Sequence, residues 1–299
     1  MRTSRPLVLL LACLFFPAAP LAQESSPSAA SLLQQSLTAL TGGASVTDVT
    51  MNGTITVTRG SPQGSTPLSA TTLTFTSESG TFTFAATASG QSKGTLNMPS
   101  GTRSDARNYA ESPHVGTATG PSGSSSENPD DLVGPHPAFF YPAFIIASAL
   151  AQNYSTSNLG QETREGVVVE HVALWPESTS GTQVASSQIL WQQAAVPAAT
   201  VQHAGQIDLY LNPASSLPVA ITFSIPAFRQ TATGSRLPSM SAIGNLPMYV
   251  AQEFDFSNYQ DVQGRAVAFT IKVYSGNALS MEIQLSSVNF NAGVTIAVN

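Results

Sequence analysis

The residues able to do chemistry are few and scattered. Four histidines, His114, His136, His171 and His203, form no His-x-x-x-His pair and have no cysteine near them, so no zinc-type ligand set is spelled out. Glu170 and His171 are adjacent in an extended apolar stretch, where neighbours point to opposite faces and cannot act together on one substrate. Serine is abundant, yet no Gly-x-Ser-x-Gly elbow appears between a strand and a helix, and the Gly120 to Ser126 run has no lysine to complete a phosphate cradle. Two carboxylates across a cleft could hydrolyse a glycosidic bond. Here Asp130-Asp131 follows Asn128-Pro129 as in a turn, and Glu253 and Asp255 share the polar face of a strand, where solvation is expected. None of these pairs has the setting that acid and base work requires, so neither an enzyme nor a metal or other cofactor is predicted.

The remaining candidates are apolar. Met51, Phe75, Phe82, Phe84, Phe223, Phe254, Phe256, Phe269 and Met281 recur at strand spacing, and Phe139, Phe140, Phe144 and Ile145 lie in one uncharged run. If the first group faces inward and the second meets it from a helical lid, the lining suits an acyl chain, each buried methylene contributing about 0.8 kcal/mol. The same side chains would equally fill an ordinary close-packed core, and periodicity leaves both readings open.

The elements that would place these residues are legible in the pattern. Leu32, Leu33, Leu37 and Leu40 fall on one side of a helix over Ser31–Thr41, which Gly42-Gly43 stops. From Val46 the period changes to two. Met51, Ile55 and Val57 alternate with threonines in a long strand; Leu73 and Phe75, then Phe82, Phe84 and Ala86, make two more, with a hairpin turn expected at Glu78-Ser79-Gly80. Leu96 and Met98 suggest another short strand. Ser112 to Pro137 is Gly, Ser and Pro dominated and reads as a flexible loop inserted in the domain. Ala138 to Ala151 is apolar on every side and must be covered all round, with Pro142 tolerable only in the first turn of a helix. Strands follow at Val167–Leu174, Ile207–Leu211 and Val219–Ile225, and then a meander through Phe254-Phe256, Val267–Val273 and Leu279–Leu285.

About ten strands with one apolar face each, joined by short turns and accompanied by two helices, predict a mainly β protein with two helices (α+β). A curved antiparallel sheet, an incomplete β-barrel enclosing or capped by the helices, hides that apolar face.

Composition narrows the function classes. Of 299 residues 42% are hydrophobic and 9% charged, and eleven basic groups face seventeen acidic ones, for a net charge of −6. Such a chain folds, and it is not expected to bind nucleic acid, which needs clustered Lys and Arg. Arg2 and Arg5, the apolar run Pro6 to Phe16 and the exit Pro20-Leu21-Ala22 read as a secretory signal over residues 1–22, leaving one domain over 23–299. No transmembrane segment is expected in the mature chain. Cys13, the one cysteine, lies inside the signal, so neither disulfides nor thiolate chemistry are available afterwards.

Three segments carry a family resemblance. They are the opening helix Leu32 to Gly43 followed by a long strand; Gln206 to Pro213; and Phe256 to Phe269, with its Tyr259-x-x-Val262-x-Gly264 turn, leading to Ile283 to Gly293. In order, these are similar to the periplasmic lipoprotein-carrier (LolA/LolB-like) outer-membrane lipoprotein-sorting family, over about two thirds of the chain. The chain departs from it by insertions at Ser112 to Pro137, Trp175 to Gly205 and Pro226 to Pro247, and no lid-locking arginine can be carried over. The resemblance implies an incomplete barrel with a helical lid over an apolar cavity. It also implies a non-enzymatic carrier whose partners are a lipid or an acylated protein, with an envelope protein as a further partner, in the periplasm or, failing that, outside the cell. The alternative is a secreted surface or protein-interaction β module without a ligand cavity, contacting macromolecules through its threonine faces.

Overall fold

A computed structural model of the chain describes residues 27–63, 72–108, 115–120, 123–127, 139–176, 206–226, 228–230, 236–238, 249–276 and 278–296. Residues 1–22, expected to be a signal, and His114, Asp130, Asp131, His136 and His203 lie outside the described residues.

The first helix, α1 (Ala29–Thr41), starts where Ser28 Oγ accepts the Ser31 N–H at 3.1 Å, which satisfies one of the donors a helix start leaves open. It ends at Gly42, whose φ of 61° is left-handed and whose N–H reaches Thr38 O at 2.9 Å. A Cβ on Gly42 would stand 2.1 Å from the Gly264 carbonyl oxygen, so glycine here also lets the helix end rest on a strand turn. Leu32, Leu33 and Leu40 are the buried stripe.

The described residues form fifteen strands: β1 (Asp48–Gln63), β2 (Thr72–Thr87), β3 (Gln91–Met98), β4 (Gly101–Asn108), β5 (Val115–Gly120), β6 (Gly123–Glu127), β7 (Tyr154–Arg164), β8 (Val167–Pro176), β9 (Ile207–Leu211), β10 (Pro218–Pro226), β11 (Phe228–Gln230), β12 (Arg236–Pro238), β13 (Tyr249–Val262), β14 (Arg265–Ser275) and β15 (Ala278–Phe290). β11 and β12 pair with each other. The other thirteen form one antiparallel sheet in the order β6-β5-β4-β3-β2-β1-β15-β14-β13-β10-β9-β8-β7. It is open: among the described residues no ladder joins β6 to β7. Among the described residues the two wings, β1–β6 and the strands from β7 to β15 that belong to this sheet, are hydrogen-bonded to each other at the β1–β15 ladder alone.

Three expectations are corrected here. No hairpin turn occurs at Glu78-Ser79-Gly80; β2 runs straight through it, pairing with β1 residue by residue from Thr72 to Thr87. The Gly and Ser stretch is not simply a loop, because Val115–Gly120 and Gly123–Glu127 pair as a hairpin and extend the sheet. Backbone ladders need no side-chain bulk, and Thr and Ser tolerate the extended form, so low complexity hid two strands. The run from Ala138 is not one helix: a turn at Phe139–Pro142 leads into a six-residue helix α2 (Ala143–Ser148) and a π-helical turn at Ala149–Asn153. Pro142 does stand at the helix start, as its ring requires.

One face of the sheet packs with α1 and α2 into a single hydrophobic cluster, in which Met51, Ile55, Phe254, Ile271 and Ile283 are essentially solvent-free. The other face is Thr- and Ser-rich in the first wing, where hydroxyls pair across strands, as in Thr56–Ser79 at 2.9 Å and Thr58–Ser77 at 3.0 Å.

Candidate ligand site

The site is built from the turn upward. Phe139 and Phe140 precede α2 and project into the concave side of the sheet between its two wings. The Phe139 ring stacks on Phe223 of β10 (centroids 4.4 Å, 24° between planes) and leans on Phe254 of β13 at 5.6 Å. Phe140 meets Phe84 at 5.0 Å and Phe82 at 5.7 Å on β2, and stands edge-on to Phe254 at 5.6 Å. The two rings therefore bridge β2 in one wing to β10 and β13 in the other. Below them Tyr141 is buried against Phe144 and Phe290, at 5.4 and 5.3 Å, and its hydroxyl reaches only a long 3.5 Å contact with the Leu40 carbonyl. Burial pushes the Tyr141 hydroxyl well above the usual phenol range, so it stays neutral there.

Of the residues expected to line this space, Met51, Phe82, Phe84, Phe139, Phe140, Ile145, Phe254 and Phe256 are buried in the common cluster. Phe144, Phe223, Phe269 and Met281 are partly buried against it. Phe75 is the exception: it is 57% exposed on the opposite face. With no turn between them, Phe75 and Phe82 are seven residues apart on one strand, and an odd separation puts them on opposite faces. The sequence reading passed over Tyr141, Val288 and Phe290. The last two were hidden by a bulge in which Ser286 is the extra residue, which shifts the inward set on β15 from Ile283 and Leu285 to Val288 and Phe290.

The chemistry-bearing residues gather elsewhere, on the face away from the helices. His171 Nε2 lies 2.9 Å from Asp208 and its Nδ1 3.3 Å from Glu162. Arg164 pairs with Glu253 and lies 3.9 Å over the Tyr210 ring. β7 and β13 are four ladders apart, roughly 19 Å in a flat sheet, so this contact requires the β7–β8 hairpin to fold over that face. Val169, Tyr210 and Ala220 form a small second core beneath it. Asp255 is consequently not an ordinary solvated carboxylate: burial, then the charge and hydrogen bond of Glu253, push it up to about 7. Around His171, burial opposes the charge, but the hydrogen bond and charge of Asp208, with Glu162, outweigh it and hold the imidazole above its usual range. Both groups thus bind their proton more tightly folded than unfolded, so the stability they contribute is present at low pH and lost as pH rises. The melting temperature is expected to fall between about pH 4 and pH 7 on account of Asp255. The Asp255→Asn variant should flatten that span and keep only the His171 decline, which begins near the imidazole's ordinary range. An unchanged slope would contradict the assignment. Among the described residues no three His, Cys, Asp or Glu side chains are placed to hold a metal ion.

No family model and no curated protein sequence matches the chain. Solved structures do. A domain from Vibrio parahaemolyticus ascribed to an outer membrane lipoprotein-sorting protein aligns over 89% of this chain and 94% of its own, with 11% identity and a TM-score of 0.50. A DUF1329-family protein from Desulfovibrio piger aligns over 89% and 93%, with 7% identity and a TM-score of 0.50. At these identities the likeness is one of fold, and the fold is the open curved sheet with helices that the resemblance implied.

Proposed function

We propose that this chain is an exported, non-enzymatic binding or carrier protein of the cell envelope that takes the acyl part of a lipid or lipoprotein onto the concave side of its sheet. The observation that carries the reading is the Phe139–Phe140 pair: two aromatic rings inserted between the wings by a turn, not by a long helix. The six-residue α2 behind them has no side-chain bond at its start and is held by apolar burial, with Tyr141, Ile145 and Ile146 in the same cluster. The lipoprotein-sorting ascription of the Vibrio parahaemolyticus domain, which has this fold, supports the same reading. The mechanism is exchange, in which an acyl chain replaces the contacts the two rings give up.

Magnitudes set a threshold. Withdrawing two phenylalanine side chains from the core costs about 6 kcal/mol, and each buried methylene returns about 0.8 kcal/mol, so displacement becomes favourable beyond about eight carbons. The test is native mass spectrometry of the delipidated mature protein with saturated fatty acids of increasing length. Retention is expected to be absent for chains shorter than the threshold and to rise steeply above it. Failure of every chain length to bind would overturn the carrier reading.

A further inference from the structure

Register partners in a sheet share a face, and three rows of partners cross the first wing from β1 to β4. They run Gly53–Phe82–Leu96–Arg103, Met51–Phe84–Gly94–Asp105 and Val49–Ala86–Ser92–Arg107. The β2 member of each row, Phe82, Phe84 or Ala86, belongs to the apolar cluster. The outer end of every row is charged. The concave side therefore passes within two strand spacings, about 10 Å, from the aromatic lining at Phe82 to a guanidinium on β4.

The charges on this row are not equivalent. Arg107 is buried, and its Nε donates to both carboxylate oxygens of Asp105 at 2.9 and 3.0 Å, so that pair is fixed and largely self-neutralised. Arg103 is exposed and makes no ion pair with another described residue. Its Cγ lies 4.0 Å from where a Cβ on Gly120 would stand, alongside a strand position with no side chain to cover it. The other charges described on the concave side are occupied. Glu170 accepts from Gln161, Glu78 accepts from Ser100, and Arg265 donates to the Gln263 and Ser45 carbonyls.

We propose that Arg103 is an anion site at the rim of the acyl-binding surface, where it takes the phosphate of an anionic phospholipid whose chains lie on the Phe82–Phe84 lining. This rests on the acyl-binding reading above and adds the head-group class to it. A guanidinium matches phosphate oxygens in a planar fork, and no carboxylate among the described residues competes for that of Arg103 beside the apolar surface.

The test compares retention of dipalmitoyl phosphatidic acid and dipalmitoylglycerol, which share acyl chains and differ in the phosphate, by native mass spectrometry. The wild type is expected to retain the phospholipid about fivefold better, the size of one partly exposed charge contact. Arg103→Ala should bring the ratio close to one, Arg103→Lys should keep most of the preference, and millimolar inorganic phosphate or added salt should narrow it. A wild type without preference, a preference that survives in Arg103→Ala, or a ratio indifferent to phosphate and salt overturns the anion site while leaving acyl binding standing. Retention of neither lipid overturns the acyl-binding reading, and this site with it.

Discussion

Phe140→Ala is expected to lower the stability of the ligand-free protein by about 4 kcal/mol, and saturating palmitate is expected to return much of that loss. The first half follows from burial: Phe140 is 8% exposed and touches three aromatic rings from two wings, so truncation removes transfer energy and leaves a cavity. The second half distinguishes a plug from a core residue. If the ring stands where an acyl chain goes, the void is already shaped for methylenes, and ligand binding to the folded state raises stability by mass action. Leu33→Ala supplies the contrast. Leu33 is completely buried on α1, and its loss should cost a comparable amount, about 2–5 kcal/mol. It is on neither the Phe139–Phe140 turn nor α2, so palmitate should raise the melting temperature of Leu33→Ala no more than that of the wild type. Melting curves of the three proteins with and without ligand settle the matter. Equal ligand shifts in both variants would mean that Phe140 is ordinary packing.

What could be read in the sequence was what depends on local periodicity. The α1 stripe, the alternations of β1, β9, β10 and the β13–β15 meander, and the inward set around Phe82, Phe84 and Phe254 all follow from period-2 or period-3.6 patterns with bulky residues. The reading failed where a strand continued through residues that resemble a turn. Glu78-Ser79-Gly80 suits a hairpin tip, but it sits in a ladder, and that one misplaced turn reversed the face of Phe75. β5, β6 and β7 lack the bulky alternating residues on which pattern reading depends, and their pairing is decided by neighbours far along the chain. The clasp from Arg164 to Glu253 spans 89 residues and four ladders, and only the bend of the sheet creates it. The row of β4 charges was equally invisible, because Arg103, Asp105 and Arg107 acquire a common face only once β4 is known to be a strand.

The joint between the wings should be the most sensitive backbone position. Gly53 sits in the β1–β15 ladder beside the Ser286 bulge, where a Cβ would stand 2.2 Å from the Gln284 carbonyl oxygen and 2.9 Å from the Leu285 Cα. Both are backbone atoms, so no rotamer change relieves the clash; the ladder itself must part. Among the described residues that ladder is the one backbone pairing between the two wings of the sheet, and Phe140 is held from both sides only while it is intact. Gly53→Ala, although it adds a single methyl group, is expected to destabilise by about 3 kcal/mol or more, at the upper end of overpacking effects. It should also release Phe140, giving faster amide exchange in α2 as well as in β1 and β15. Gly94→Ala is the control, since its Cβ would meet only the Phe84 ring at an ordinary 3.9 Å. If Gly53→Ala melts no lower than Gly94→Ala, the two wings do not depend on this ladder, and the bridging role given to Phe139 and Phe140 loses its structural basis.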